Sequence, residues 1–255
     1  MNRQQIGQYL SRIGFSGDAA PTAAALAQLQ YAHLQAVPYE NLDILAGRRI
    51  SLDIDDLFDK VVVRRRGGFC FELNRLFGEL LRDLGFAVTD YVARYWRGEQ
   101  TVPKRRHQVL RVKTADGGEF LCDVGVGARI PLFPIPYTAG GEFEQSGFVY
   151  GLRDDELLGK VLTERHGDGW RDVYSFNEDV QFPCDFVYAC FWCEKAPESP
   201  FNKGYMLSIR RGAERHTFDG PAYKIFRGDA CEASTPDEAE RRKIFKEVFG
   251  LGEEA

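Results

Sequence analysis

One change of periodicity, near residue 85, constrains this chain more than any other feature. Before it, apolar residues recur at helical spacing; after it, they fall in short β-branched and aromatic runs separated by turns. Leu73, Leu76, Phe77, Leu80, Leu81 and Leu84 stand at i, i+3, i+4, i+7, i+8 and i+11, which predicts an amphipathic helix from about Cys70 with Gly85 as its stop. Three earlier stripes read the same way. Ile6, Tyr9, Leu10 and Ile13 end at Gly14, and Leu26, Leu29, His33, Ala36 and Val37 end at Pro38. Ile54, Leu57, Phe58, Val61 and Val62 follow Asp53, a good N-cap. Beyond the switch, residues 91–96, 107–112, 119–124, 161–164 and 172–176 predict an antiparallel sheet or small barrel, broken by an irregular connection around Pro131, Pro134 and Pro136. After Pro183 the pattern mixes. A strand at 205–210 precedes a closing helix that Thr235 and Glu238 would open as a capping box and that Ile244, Phe245, Val248 and Phe249 would bury.

Charge and cysteine usage narrow the function classes. Against 33 basic residues stand 38 acidic ones, and the pI near 5.5 argues against a general attraction to nucleic acid or to an anionic membrane. Residues 1–30 hold no basic segment followed by an apolar core, and no run approaches the ~18 apolar residues of a membrane span, so the expected location is the cytoplasm. There the six cysteines are expected to be reduced. Cys190 and Cys193 have the C-x-x-C spacing of zinc and redox sites, but only Cys184 and His216 lie near enough in sequence to complete a metal site. Packed thiols, and no metal, are the expectation.

Chemistry points instead to Cys70, which follows Arg66-Gly67-Gly68-Phe69 and opens the strongest helix. A thiol in the first turn faces unpaired N–H groups and the positive end of the helix dipole, which predicts a lowered pKa. His107 and Asp123 follow in order, on two strand-like runs joined by the turn-forming residues Thr114-Ala115-Asp116-Gly117-Gly118. Strand side chains alternate, so register decides whether the two can meet. Pairing of 107 with 123, or of 109 with 123, puts both on one face; pairing of 108 with 123 puts them on opposite faces. In a permitted register His107 is the base for the Cys70 thiol and Asp123 steadies its ring. His33, His166 and His216 have no acidic residue on a comparable partner strand.

These residues, with Val37-Pro38-Tyr39-Glu40-Asn41-Leu42, the heptapeptide 66–72, His107 to Val112, Asp123-Val124-Gly125-Val126-Gly127 and Ser199-Pro200-Phe201, make the chain resemble the arylamine N-acetyltransferases. The resemblance implies an α+β fold in three units around a papain-like cysteine core: a helical unit (1–84) carrying the nucleophile, a β-barrel (85–185) carrying the histidine and aspartate, and an α/β lid (186–255). It implies acetyl-CoA as acyl donor and an aromatic amine, hydrazine or N-hydroxyarylamine as acceptor. Under it, Phe69, Gly125, Val126 and Gly127 are the acceptor-pocket candidates, and Lys104, Arg105 and Arg106 are candidates for the phosphates of coenzyme A.

The chain also departs from the family pattern. Val126 stands where relatives commonly carry an aromatic residue, Lys195-Ala196-Pro197 where many carry a histidine, and the tail after Phe249 is short. Two rivals are to be weighed against acetyl transfer. An amide synthase or a transglutaminase-like hydrolase would use the same three residues, and a zinc-stabilised binding module would use the cysteines instead.

Overall fold

The computed structural model describes residues 1–96, 98–99, 101–228 and 230–252. Its helices are α1 (Arg3–Arg12), α2 (Ala23–Ala36), α3 (Leu42–Leu45), α4 (Ile54–Phe58), α5 (Cys70–Asp83), α6 (Phe186–Lys195) and α7 (Glu238–Glu247). Its strands are β1 (Ala87–Tyr95), β2 (Arg105–Lys113), β3 (Glu119–Cys122), β4 (Ile135–Pro136), β5 (Glu142–Gln145), β6 (Phe148–Asp155), β7 (Gly159–His166), β8 (Gly169–Phe176), β9 (Met206–Arg211), β10 (Glu214–Asp219), β11 (Ala222–Arg227) and β12 (Ala230–Ser234). The first eight strands form one antiparallel sheet in the order β4-β3-β2-β1-β8-β7-β6-β5, curled into a nearly closed barrel. The last four form a meander, β12-β11-β10-β9.

The predicted helices stand where periodicity puts them, except that the third passes after Phe58 into a π-helical turn over Asp59–Val63, and their ends have local causes. Asp53 caps α4 by accepting from the Asp55 N–H at 2.9 Å. Gly85, just past α5, takes the positive φ that a side chain resists. Each element then packs its apolar stripe. Leu26, Leu29, Leu73, Leu76, Phe77 and Leu80 are almost wholly buried in a first core, the barrel encloses a second around Tyr91, Val109, Leu162 and Phe176, and a third lies between the meander and α7. Helix α6 buries Phe186, Cys190 and Cys193 in the first of these.

Strands β4, β5 and β6 complete the barrel where no strand is expected, and two features beyond residue 204 also differ from the sequence expectation. The closing helix starts at Glu238 and is capped by Asp237, whose carboxylate accepts from the Glu240 N–H at 2.9 Å, so Thr235 and Glu238 form no capping box. The mixed region after residue 205 is a full four-stranded meander, its turns carried by Gly212, Gly220 and Gly228 at positive φ. The β2–β3 hairpin pairs Leu110 with Cys122 and Arg111 with Leu121; carried one step further, that register sets 109 against 123. His107 and Asp123 are therefore diagonal neighbours on one face.

Candidate active site

The nucleophile candidate is presented by a backbone junction. Residues 38–40 run beside the glycine pair, with the Glu40 N–H donating to Gly68 O at 2.8 Å, and a Cβ on Gly67 would sit 2.0 Å from Pro38 O. Only glycine permits that approach. Phe69 caps α5 without a side-chain oxygen, and Glu72 reaches back to accept from the Phe69 N–H at 3.1 Å. Glu72 is held in turn by Lys60 Nζ at 2.7 Å, which also meets Asp43 at 2.6 Å. Arg66 donates to Glu40 at 2.8 Å and to Asp43 at 3.1 Å. Burial works against the Asp43 anion, yet Lys60, Arg66 and Arg48 hold its carboxyl down at about 2.

His107 and Asp123 meet at the open end of the hairpin, Nε2 to Oδ2, at 2.7 Å. The other carboxylate oxygen accepts from the Gly125 N–H and from Asn74 Nδ2, each at 2.8 Å. Asn74 also donates to Gln108 O at 2.6 Å and accepts from the Val124 N–H at 2.9 Å, so one buried amide ties α5 to β2 and to the chain beyond β3. The signal for it in the sequence is a polar residue four places after Cys70, on the same helical face and next to Leu73 of the apolar stripe. The His107 ring is flanked by Tyr95, at 5.9 Å between centroids, and by Tyr174, at 5.4 Å. Cys70, His107 and Asp123 are 2%, 3% and 4% exposed.

Cys70 and His107 open on a cleft of about 200 Å³ between helices, barrel and meander. Gly125, Val126 and Gly127 line it as expected, and a Cβ on Gly125 would lie 2.6 Å from Cys70 Cα, so that glycine lets the loop close on the helix mouth. Phe69 does not line the cleft. It is fully buried against Phe71 and Phe201, and Phe201 supplies the wall in its place, with Tyr39, Tyr95, Phe218 and Phe226 adding aromatic surface. The basic run divides. Arg106 reaches the cleft, Lys104 lies 5.1 Å over the Trp192 ring, and Arg105 is exposed at the edge of β2, because successive strand residues point to opposite sides.

Enclosure changes the expected electrostatics of the sulfur. Burial, with Cys193, Asp123 and Cys190 adding to it, pushes the Cys70 thiol up, although a helix start alone favours the thiolate. The thiol lies 3.6 Å from Arg106 O. His107 lines the same cleft as Cys70. Cys190 and Cys193 are buried in α6, all six cysteines are unpaired, and among the described residues no three His, Cys, Asp or Glu side chains cluster to hold a metal.

Comparison with known proteins supplies the family and the fold. Residues 22–254 match the family model described as N-acetyltransferase. The arylamine N-acetyltransferase / N-hydroxyarylamine O-acetyltransferase of Salmonella typhimurium is 32% identical over 254 residues, covering 96% of this chain and 88% of the relative. Among solved structures, the arylamine N-acetyltransferase of Nocardia farcinica superposes with a TM-score of 0.89 at 35% identity, covering 97% of this chain and 89% of that one. The Mycobacterium marinum enzyme in complex with CoA gives 0.90 at 31%, covering 96% and 92%. With a match over most of its length in sequence and in fold, the chain belongs to the arylamine N-acetyltransferase family.

Proposed function

We propose that this chain moves an acetyl group from acetyl-CoA to an aromatic amine, hydrazine or N-hydroxyarylamine in a ping-pong cycle through an acetyl-Cys70 intermediate, and that it works in the cytoplasm. The observation that carries the proposal is the His107–Asp123 bond at 2.7 Å, which engages Nε2 and leaves Nδ1 as the ring nitrogen for the thiol. In the first half-reaction His107 takes the Cys70 proton, the sulfur bonds to the thioester carbonyl carbon, and coenzyme A departs with the proton from the imidazolium. In the second, the amine nitrogen bonds to that carbon, the bond to Cys70 breaks, and the amine proton passes through His107 back to the sulfur. Asp123 stabilises the charged ring, Asn74 and the Gly125 N–H hold Asp123, and the first-turn N–H of Cys70 is the oxyanion donor. An aromatic amine suits the cleft: weakly basic amines stay neutral near pH 7, and Tyr39, Phe201 and Phe218 offer rings to pack on. Val126 leaves room where an aromatic side chain would fill it. The division into units 1–84, 85–185 and 186–255 is part of the proposal, supported by the separate cores inside the barrel and beneath α7; the first core is shared, drawing on Leu110, Val112 and Val124 of the barrel and on Phe186, Cys190 and Phe201 of the last unit.

Intact-mass measurement after mixing with acetyl-CoA tests it. The expected result is a gain of one acetyl group, absent in Cys70→Ala, together with iodoacetamide alkylation of Cys70 near pH 7 that falls ~100-fold in His107→Gln. An adduct that survives Cys70→Ala, or equal alkylation rates in the two proteins, would overturn the mechanism.

A further inference from the structure

The meander has two faces of opposite character. Leu207, Ile209 and Phe218 pack beneath α7, whereas Arg210, Arg215 and Phe226 line a second cavity, of about 460 Å³, on the barrel side. Arg210 and Arg215 are direct cross-strand partners on β9 and β10, an arrangement in which like charges repel. Arg129, from the loop that follows Asp123, joins them in the same cavity. Glu164 pairs with Arg129 at 2.9 Å and with Arg171 at 3.0 Å. Among the described residues, neither Arg210 nor Arg215 has a carboxylate within ion-pair distance. Burial and mutual repulsion push both guanidiniums down from their usual range, Arg215 to about 10.

The arginines are also held in place. Arg215 stacks on Phe226 at 3.9 Å and Arg129 on Phe148 at 3.8 Å, which fixes the planes of both forks. Elsewhere in the cavity wall, Tyr31 and Phe133 stack at 5.3 Å with their planes 9° apart. Phe133 is clamped by the Gln145 side chain, which accepts from its N–H at 2.9 Å and donates to its carbonyl at 3.0 Å. Crowded cations beside a rigid aromatic ledge suit an anionic phosphate ester joined to a flat heterocycle. Arg215 and Phe226 line this cavity and the catalytic cleft alike, so the two spaces adjoin.

We infer that the cavity bounded by Arg129, Arg210 and Arg215 binds the phosphate-bearing nucleotide end of the thioester donor, with the heterocycle on the Phe133 side. The identity of the ligand rests on the acyl-transfer proposal above; the presence of a nucleotide-phosphate site does not. Arg210→Gln is the informative variant, because Arg210 lines this cavity and not the catalytic cleft. Its KM for acetyl-CoA should rise about tenfold at unchanged kcat, while its KM for S-acetylpantetheine, which keeps the thioester arm and lacks every phosphate, should not move. Adenosine 3′,5′-bisphosphate titrated into the wild-type protein by calorimetry should bind, and bind about tenfold more weakly to the variant. Equal effects on both donors, no effect on either, or no binding of the bisphosphate at millimolar concentration would overturn the inference. If neither donor acetylates Cys70, the acyl-transfer proposal fails, and the bisphosphate titration still decides the subsite.

Discussion

Two groups of buried or half-buried charge flank the cleft and are built on opposite rules. Beneath the loop that leads into α5, Lys60 and Arg66 are set among Glu40, Asp43 and Glu72, and every one of these five side chains touches an opposite charge at 3.1 Å or less. On the meander side, Arg129 pairs with Glu164, which is shared with Arg171, while among the described residues Arg210 and Arg215 have no carboxylate within ion-pair distance. A buried ion whose partner belongs to the same chain fixes backbone geometry, here the approach of residues 38–43 to the start of α5. A cation left without one adds repulsion and is tolerated where the compensating charge arrives from outside.

The comparison breaks most sharply at Lys60. Lys60→Met leaves Asp43 and Glu72 without their shared cation and should cost about 3–5 kcal/mol in urea unfolding, with most of it regained in Lys60→Met/Glu72→Leu. Acid sharpens it next. Burial, with Arg12, pushes His33 down to about 3, so between that value and its ordinary 6.5 the unfolded chain binds a proton that the folded chain refuses. Stability should therefore fall as pH drops below about 6.5, by about 2 kcal/mol at pH 5 from this group, and His33→Gln should flatten the slope. Asp43, held at about 2, adds the same sign at lower pH, while Glu72, pushed up by burial, works the other way. The smallest effect belongs to the arginines: Arg210→Gln relieves a cross-strand repulsion and should raise stability by about 0.2–1 kcal/mol without changing the acid slope. A loss of stability comparable to that of Lys60→Met would erase the distinction between the two groups.

Local rules made much of this molecule legible. The i, i+3, i+4 stripe of α5, its stop at Gly85 and the hairpin turn at 114–118 are short-range features, and the parity of strand pairing limited His107 and Asp123 to two productive registers, one of which is present. The meander was written in glycines eight residues apart, 212, 220 and 228, but its exposed outer strand carries little alternation to read. Asn74 and the paired charges stayed hidden for another reason. Their roles come from contacts across tens of residues, Asn74 to Asp123 and Lys60 to Asp43 and Glu72, which no periodicity encodes. The Cys70 thiol shows the limit of a local rule outright, since the cue at the helix start was sound and enclosure by distant elements outweighed it.

Residue 39 sits between the glycine pair and β9, exchanging two backbone hydrogen bonds with Ser208 at 2.8 and 2.9 Å, while its ring lines the cleft. Frame and lining are thus served by different atoms of one residue. A change of ring there would reshape the cleft wall, and the main-chain splice that keeps floor and roof in register would go on unchanged.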